Sequence, residues 1–490
     1  MKPNAVAVLD VGKTNKKVCL YDRRFNVLAE DRRQVPPREV DGLEVDDTDT
    51  LLAWFRDALK RLAGQADIRA IAITTHGATV ALLDGEGRLA HPVVSYSAAK
   101  GVEVQEAFYK EFGSREALHR VTGTPDVGFA NMAKILYYLK TRRPKAWAAA
   151  RHALFFTGYL GHELTGAYGM EPTYAGNHCY LWDFTRNTWS EVAVKLGADV
   201  LFPKTFGKAW DCLGVVKPEW AAACRIPADC KVTYGIHDSN ANYLPYLARG
   251  YDDFLLNSTG TWCVLMRPSP TADLSDDEIR AKVLFNMDVF GRPVRTCIFP
   301  AGMEYDTFRS FTDLADQTSV DDVRRVVAEK RLFVVPGVLP DASAFPGSKP
   351  RVINGSQAHP LETLKTSPGK PLTPLGQSYY AALNLSLALA TRKMLSWCAV
   401  KHGTTIFIEG GFAKNMAYCE LLATLCPDQQ FVLTNVKEGT SFGAALTGWM
   451  CAEGLSLESV GREFDIETTP VARRDYGNLD AYQEAFQTLL

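Results

Sequence analysis

The chain has 490 residues, of which 47% are hydrophobic and 22% are charged, and its formal net charge is −2. A chain of this length normally divides into two or more domains, and its composition is ordinary for a globular protein. The absence of a long basic block argues against a nucleic-acid or membrane-surface partner. The N-terminus lacks the order of a signal peptide, and no apolar run approaches the ~20 residues of a membrane span. We therefore expect a cytoplasmic protein.

The first third of the chain mixes a strand meander with strands separated by a helix. This pattern is typical of an α/β fold. The predicted strands lie at residues 6–9, 17–21, 27–34, 68–74 and 80–83, with a helix at 50–62.

The order of elements seen at the N-terminus returns in the second half of the chain. Helical patterns dominate residues 102–166, and an aromatic-rich stretch at 170–230 fits either an insertion or a lid. After residue 231 a strand leads into a helical run, and a second strand–polar turn–strand unit follows at 254–266. Such duplication indicates two related domains. We place them at residues 1–240 and 241–490.

The first candidate site is the polar turn that begins at Asp10. Such a turn exposes backbone N–H groups, and its glycine lets an anion approach the backbone, while Asp10 can hold a hydrated Mg²⁺ beside a phosphate. A plain β-turn explains the same residues. The candidate phosphate ligands are Gly12, Lys13, Thr14, Asn15 and Lys17.

A second turn of the same chemistry consists of Thr259, Gly260 and Thr261. Hydroxyl groups and a glycine again lie between two apolar strands. Taken alone, this turn is also explained as an ordinary connection. Two such turns, one near the start of each half of the chain, are less readily explained by chance. Together they predict a site that binds a polyphosphate from two sides.

Asp238 follows a predicted strand and precedes a helix. Ligands of open α/β sheets collect at this end of the strands. A carboxylate there can accept the proton of a hydroxyl that attacks phosphorus. Asp238 is equally suited to cap the helix, and the two roles are compatible.

Paired glycines, Gly410 and Gly411, follow a predicted strand near the C-terminus. Glycines have no side chain, so a base or ribose can pack directly on their backbone. A strand-to-helix turn explains the same residues. Lys414 and Asn415 follow closely. The segment is neither a Walker loop nor a Gly-x-Gly-x-x-Gly fingerprint, which argues against P-loop and Rossmann chemistry.

Taken in order, these motifs resemble the FGGY carbohydrate kinases of the actin, hexokinase and Hsp70 superfamily. The resemblance runs from Asp10 to about Gly448. It includes the two phosphate turns, the segment around Asp238, the paired glycines and the closing segment Ser441-Phe442-Gly443-Ala444-Ala445.

The resemblance implies two ribonuclease-H-like domains flanking a deep cleft. The domain of residues 1–240 would bind the sugar, and the domain of residues 241–490 would bind ATP. Asp238 would be the general base of in-line phosphoryl transfer. Asp10 and Asp238 are the candidate ligands of Mg²⁺. The candidate sugar ligands are His76, Gly77, Tyr96, His237 and Asp238.

Two departures from the family pattern stand out. Lys13 occupies a position where Thr is usual, and Tyr96-Ser97-Ala98-Ala99-Lys100 replaces a segment like Trp-x-Asp-x-Arg. The residues around His237-Asp238 most resemble those of the rhamnulokinase branch. This resemblance therefore favours a ketose acceptor such as L-rhamnulose, L-fuculose or a pentulose.

Two other functions remain open. One is a nucleotide-binding sensor or scaffold that has lost transfer activity, which the altered 96–100 segment suggests and the retained Asp238 opposes. The other is a kinase for a polyol or another non-sugar acceptor. The resemblance also allows a homodimer, for which the sequence carries no interface signal.

Overall fold

A computed structural model describes residues 2–99, 102–436 and 438–490. The chain forms two compact units, and neither is a single continuous segment. The predicted boundary between residues 240 and 241 falls inside a helix, and the chain first passes from one unit to the other at Asp252. The first unit consists of Met1–Asp252, Ser269–Arg295 and Val436–Ile466, and the second of Asp253–Pro268, Thr296–Asn435 and Glu467–Leu490.

Strands occur throughout the described residues. In chain order they are β1 Asn4–Val11, β2 Asn15–Tyr21, β3 Val27–Gln34, β4 Arg38–Val40, β5 Leu43–Val45, β6 Asp67–Thr75, β7 Val80–Leu83, β8 His152–Phe155, β9 Trp182–Asp183, β10 Thr188–Trp189, β11 Cys212–Val215, β12 Lys231–Thr233, β13 Ile236–His237, β14 Phe254–Thr259, β15 Cys263–Pro268, β16 Leu284–Met287, β17 Pro293–Phe299, β18 Leu332–Val335, β19 Arg351–Asn354, β20 Gln357–Pro360, β21 Thr405–Gly410, β22 Gln430–Thr434 and β23 Thr468–Pro470.

Helices alternate with these strands, and no helix among the described residues is long and apolar enough to cross a membrane. In chain order they are α1 Thr48–Leu62, α2 Val102–Phe112, α3 Arg115–Thr122, α4 Met132–Arg142, α5 Pro144–Ala149, α6 Phe156–Thr165, α7 Pro172–Ala175, α8 Glu191–Leu196, α9 Pro218–Cys224, α10 Asp238–Ala248, α11 Asp276–Arg280, α12 Ala301–Arg309, α13 Val320–Glu329, α14 Leu361–Thr366, α15 Gly376–Trp397, α16 Met416–Leu425, α17 Gly439–Glu453, α18 Leu457–Gly461 and α19 Leu479–Gln487.

The first unit is built on a mixed sheet with the strand order β11-β12-β6-β1-β2-β3, and β13 also pairs with β6. β1 and β2 form an antiparallel hairpin, whereas β1, β12 and β13 all run parallel to β6. Strands buried on both faces read as continuous apolar runs, which is the pattern of β1 and β6. The predicted α/β fold class is confirmed.

The second unit repeats this arrangement of hairpin and parallel partner. Five of its strands lie in a seven-stranded sheet and pair in the order β15-β14-β21-β22-β23. β14 and β15 are antiparallel, and β14 runs parallel to β21 just as β1 runs parallel to β6. The duplicated strand–turn–strand pattern of the sequence therefore corresponds to a duplicated sheet topology.

Helix α17 belongs to the first unit, although it lies near the end of the chain. Small residues let it pack closely, because a Cβ atom at Gly443 would lie 1.7 Å from the Ala241 carbonyl oxygen. A Cβ atom at Gly448 would likewise lie 2.2 Å from a methyl group of Val6. Any side chain at either glycine would push α17 away from α10 and β1.

The structure differs from the sequence prediction around residue 235. The predicted continuous strand is divided into β12 and β13, because Gly235 adopts a φ of +89° between them. A Cβ atom there would lie 2.8 Å from Thr157, so only glycine fits this bend. The aromatic-rich stretch at 170–230 forms short elements of the first unit, with Tyr174 and Tyr180 fully buried in its core.

Candidate active site

Three parallel strands of the first unit end at one edge of its sheet. Asp10 of β1 lies opposite Thr74 of β6, and Ile236 of β13 pairs with the same threonine. His76 follows β6 directly, and Asp238 follows β13 directly. Parallel pairing therefore gathers Asp10, His76 and Asp238 where ligands of such sheets usually bind.

Asp10 is a partly buried carboxylate that lies beside a charged lysine. Its Oδ2 lies 3.4 Å from the Lys17 ammonium and accepts a 2.6 Å hydrogen bond from the Ser441 hydroxyl. Burial raises the pKa of Asp10 above its usual value, Lys17 and Ser441 oppose this effect, and the negative charge of Asp238 adds to it. Asp10 and Asp238 therefore repel one another electrostatically.

Lys17 is held by two carboxylates. It faces Asp10 and donates a 2.5 Å hydrogen bond to Glu438, which also accepts a hydrogen bond from Arg32. Burial disfavours the Lys17 ammonium, but Asp10 and Glu438 together raise its pKa above the usual value. Lys17 thus provides a permanent positive charge at the base of the first turn.

Lys13 is directed towards the predicted sugar side of the unit. Its ammonium lies 3.1 Å from an oxygen of Asp46 and 4.6 Å from the centre of the Tyr96 ring, and it also donates to the Ser95 hydroxyl. Burial and the adjacent Lys13 charge lower the pKa of Lys16 to about 8, although Asp46 opposes the shift. The unusual lysine thus connects the first turn to Tyr96.

The tip of the first turn is exposed. Thr14 and Asn15 are open to solvent, and Asn15 accepts a 3.3 Å hydrogen bond from Gln34. A Cβ atom at Gly12 would lie 3.0 Å from the Asn15 carbonyl oxygen, so glycine keeps the turn tight. Of these predicted phosphate ligands, Thr14 and Asn15 are the most accessible.

His76 and Tyr96 pack edge to face, with ring centres 5.3 Å apart. Burial is the largest influence on His76 and lowers its pKa, so the imidazole is neutral at pH 7. Burial, with the charges of Asp238 and Asp46, raises the pKa of Tyr96 to about 12. Both predicted sugar ligands therefore present neutral polar groups near Asp238. Lys100, the last residue of the altered segment, lies outside the described residues.

The two carboxylate oxygens of Asp238 have different surroundings. Oδ1 accepts a 2.6 Å hydrogen bond from the Ser239 N–H and lies 3.0 Å from Nε2 of His237. Within the part of the chain that the structure describes, no residue donates to Oδ2. The side chain is 31% exposed at the end of β13.

The segment Glu171–His178, part of the stretch at 170–230 that fits an insertion or a lid by sequence, contacts both predicted sugar motifs. Thr173 accepts a hydrogen bond from the His237 N–H, and Tyr174 donates one to the His76 carbonyl oxygen. Asn177 contacts the His237 ring. No local pattern indicates these contacts, because they join residues about 60 to 100 positions apart.

In the second unit, Thr259 joins the second turn to the paired glycines. Its hydroxyl donates to the Glu409 carbonyl oxygen and accepts a 3.0 Å hydrogen bond from the Phe412 N–H. Gly410 has a φ of +83°, and a Cβ atom there would lie 2.0 Å from the Thr259 carbonyl oxygen. The two motifs are therefore in backbone contact.

A pocket of about 560 Å³ lies in the second unit. This volume is typical of sites for small molecules and cofactors. Five predicted residues line it, whereas Thr259 and Gly410 lie next to the lining. The predicted lining residues are Gly260, Thr261, Gly411, Lys414 and Asn415, and those not predicted are Gly302, Tyr305, Asp306, Asp316, Gln317, Thr318, Phe412, Met416 and Ala417.

Asp316 organises one wall of this pocket. It accepts hydrogen bonds from the Tyr305 hydroxyl at 3.0 Å, from Asn384 at 3.0 Å and from Asn415 at 3.4 Å. Asn415 at the same time caps α16 by accepting from the Tyr418 N–H. This carboxylate fixes both an aromatic and an amide side chain at the pocket surface.

These features define a class of protein with two α/β units of related topology. The first unit has two acidic residues at one edge of its sheet, and the second has a pocket lined in part by glycines. The profile described as the FGGY family of carbohydrate kinases, N-terminal domain, matches residues 5–244. The profile of the carbohydrate kinase FGGY C-terminal domain matches residues 252–456. The chain belongs to the FGGY family of carbohydrate kinases.

Individual relatives agree with this assignment. The crystal structure of a carbohydrate kinase from Novosphingobium aromaticivorans is 28% identical, with a TM-score of 0.82 over 100% of this chain and 98% of that one. The ligand-bound xylulose kinase from Lactobacillus acidophilus, 17% identical, has a TM-score of 0.79 over 99% of this chain and 97% of that one, and shows the shared fold.

Among curated proteins, the L-fuculokinase of Salmonella typhi is 27% identical over 286 residues. That alignment covers 56% of this chain and 59% of the relative's length. The similarity to this relative therefore spans a little more than half of each protein.

Proposed function

We propose that this protein transfers the γ-phosphoryl group of ATP to a hydroxyl group of a ketose, with Asp238 as the general base. The observation that carries the proposal is Oδ2 of Asp238 at the carboxyl end of β13, to which no described residue donates, on a side chain that is 31% exposed. A carboxylate oxygen without a donor can accept the proton of an attacking hydroxyl.

The proposed reaction combines one proton transfer with one phosphoryl transfer. The acceptor hydroxyl gives its proton to Asp238, its oxygen forms a bond to the γ-phosphorus, and the bond from that phosphorus to the bridging oxygen breaks to release ADP. Catalysis of this kind consists mainly of positioning and of stabilising charge on the transferring group.

The second unit supports ATP as the donor. Its pocket has the volume of a cofactor site, and Gly260 and Gly411 leave backbone exposed at its surface. Lys414 adds a cation at the same surface, which suits a polyphosphate. An ATP-dependent enzyme of sugar metabolism would work in the cytoplasm.

Asp10 and Asp238 fit a Mg²⁺ site. Their mutual repulsion contributes to the raised pKa of Asp10, and a divalent cation would relieve it. Oxygen donors are the ligands that Mg²⁺ prefers. When bound, the ion would neutralise charge on the phosphate oxygens.

Similarity to the curated L-fuculokinases and the residues around His237-Asp238 both favour a ketose acceptor. We expect the acceptor to be L-rhamnulose, L-fuculose or a pentulose. His76 and Tyr96 offer neutral polar groups for its hydroxyls. The alternative, a nucleotide-binding sensor without transfer, is motivated by the altered 96–100 segment.

The decisive experiment is a coupled assay of ADP release with MgATP against ketoses, aldoses and polyols. Sugar-dependent release by the wild type should fall at least about 10³-fold in Asp238→Asn, while calorimetry shows unchanged ATP binding. Activity of the variant within tenfold of wild type would exclude Asp238 as the base. Bound ATP without any stimulation by an acceptor would favour the sensor.

A further inference from the structure

We propose that Lys13 determines the specificity for the acceptor and is not a ligand of the nucleotide phosphates. Its ammonium group donates a hydrogen bond to a hydroxyl or carbonyl oxygen of an uncharged sugar that binds beside Tyr96. This inference rests on the proposed function and assigns a substrate contact to a residue that departs from the family pattern.

A short antiparallel pairing brings two acidic residues to the altered segment at 96–100. The Ser95 N–H donates to the Glu44 carbonyl oxygen at 3.1 Å, and the Asp46 N–H donates to the Val93 carbonyl oxygen at 2.8 Å. Because side chains alternate along an extended chain, Glu44 and Asp46 project from the same face. Both carboxylates therefore lie beside the altered segment.

The Lys13 side chain is held on this side of the unit. Its Nζ lies 3.1 Å from Asp46 Oδ1 and donates to the Ser95 hydroxyl. The centre of the Tyr96 ring lies 4.6 Å from the same nitrogen. The Lys13 carbonyl oxygen accepts a 2.7 Å hydrogen bond from Lys16. Both the backbone and the charged end of Lys13 are therefore fixed in place.

The hydrogen bonds between Lys13 and the altered segment run in one direction. An ammonium group only donates, so the Ser95 hydroxyl accepts from Lys13 and gives its own proton to Ser97, whose Oγ lies 2.8 Å away. Ser97 in turn donates to Glu44, and this hydrogen bond lowers the pKa of that carboxyl. The two departures from the family pattern are thus joined by one chain of hydrogen bonds.

Tyr96 connects Lys13 with the proposed base. The Tyr96 ring packs edge to face against His76, with the ring centres 5.3 Å apart. His76 and Asp238 follow directly after a pair of residues that face each other in β6 and β13. Burial raises the pKa of Tyr96, and the negative charge of Asp238 adds to this shift. Lys13 therefore lies next to the groups that we propose for the acceptor.

The charge and exposure of Lys13 indicate which acceptor it suits. An ammonium group has three protons, and among the residues that the structure describes only Asp46 and Ser95 accept from this one. The side chain is 23% exposed, so a ligand can take the remaining proton. A carboxylate on the acceptor would compete with Asp46 and be repelled by Asp238. A hydroxyl or carbonyl oxygen meets neither obstacle.

Lys13→Met removes the charge and retains most of the length of the side chain. We expect the KM for the preferred ketose to rise at least about tenfold, as for the loss of a hydrogen bond from a charged group. The KM for ATP should change less than about threefold. A phosphate ligand would give the reverse pattern. A tenfold increase in the KM for ATP, with the KM for the ketose retained, would overturn the proposal.

A double variant separates sugar binding from stability. Oδ2 of Asp46 is buried and accepts from no described residue, so removal of Lys13 alone leaves this carboxylate unpaired. Lys13→Met combined with Asp46→Asn removes both charges. It should regain melting temperature relative to Lys13→Met but keep the raised KM for the ketose. If that KM also returns to the wild-type value, the role of Lys13 is structural and the proposal is wrong.

Lys134 offers a matched control in the same unit. Its ammonium pairs with Asp126 and lies 4.8 Å from the centre of the Tyr109 ring, an arrangement like that of Lys13. Lys134 takes no part in the proposed chemistry. Lys134→Met should lower the melting temperature and leave both KM values within about threefold of wild type. An increase in the KM for the ketose equal to that of Lys13→Met would contradict a direct contact.

Calorimetry without turnover separates this inference from the proposed function. L-Rhamnulose, L-fuculose, xylulose and gluconate are titrated without ATP into the wild type and Lys13→Met, and MgATP is titrated separately. A ketose should bind the wild type at least about tenfold more tightly, and MgATP should bind both proteins equally.

Ketose binding of this kind without ADP release would contradict the proposed function alone. Three results would overturn the inference about Lys13. These are a loss of ATP affinity in Lys13→Met, preferential binding of gluconate that depends on Lys13, and binding of no sugar by the wild type.

Discussion

Ser441 donates a 2.6 Å hydrogen bond to Asp10, although 431 positions separate them in the sequence. The donor lies in the first turn of α17, and the acceptor lies at the end of β1. The last part of the chain therefore returns to complete the acidic site of the first unit.

Ser441→Ala should weaken magnesium-dependent activity. A hydrogen bond to the ionised form lowers the pKa of Asp10, so its loss raises that pKa further. Hydrogen bonds to charged groups contribute about 1.5–3 kcal/mol, which predicts an increase of about tenfold or more in the Mg²⁺ concentration for half-maximal ADP release. The acidic limb of the activity profile should also move to higher pH. Ser459→Ala, in α18, should change neither property.

Gly410→Ala should abolish nucleotide binding or destabilise the second unit. Its Cβ atom would lie 2.0 Å from the Thr259 carbonyl oxygen, and the backbone has a φ of +83°. Gly403 provides a matched control, because its φ is +82° and no atom lies within 4 Å of the position that a Cβ atom would occupy there. Gly403→Ala measures the cost of backbone strain alone, about 1 kcal/mol. Equal melting temperatures and ATP affinities for the two variants would contradict the steric argument.

Gly411→Val should raise the KM for ATP with little change in stability. Gly411 lines the pocket, and its Cβ position is 3.8 Å from the nearest atom, so the added methyl groups enter open space. We expect an increase of at least about tenfold, because branched carbon would occupy the surface on which the nucleotide packs. An unchanged KM for ATP, measured at saturating acceptor, would show that the nucleotide does not bind against this glycine.

Glu304→Gln should stabilise the protein at alkaline pH. Burial raises the pKa of Glu304 from 4.5 to about 7, and one oxygen accepts from the Gly337 and Val338 N–H groups while the other has no described partner. Because the folded pKa is above the unfolded value, the stabilising contribution is complete below pH 4.5 and is lost as pH rises through 7.

Glutamine keeps both backbone contacts and does not ionise. The variant should therefore melt at a higher temperature than wild type at pH 8 and at a similar temperature at pH 5. Calorimetric scans across this range, with the exposed Glu362→Gln as the control, test the prediction. A parallel pH dependence of the two proteins would show that Glu304 does not titrate as proposed.

Local patterns in the sequence determined much of the fold. Apolar runs bounded by polar turns indicated β1, β2 and the β14–β15 hairpin, because a strand buried on both faces needs continuous apolar residues. The same signals placed Asp238 at the junction of a strand and a helix, and it is the first residue of α10. Five of the predicted nucleotide ligands line one pocket.

Only the tertiary structure decided which distant side chains meet. The pairing of Asp10 with Ser441, the Asn177 contact with His237 and the role of Asp316 depend on the path of the chain. Hydrophobic periodicity reports which face of an element is buried, but not which element covers it. Packing of α17 and of the segment Glu171–His178 therefore sets the contacts that orient the acidic site. Gly443 in α17 and Gly77, which faces Asn177, permit an approach that any side chain would prevent.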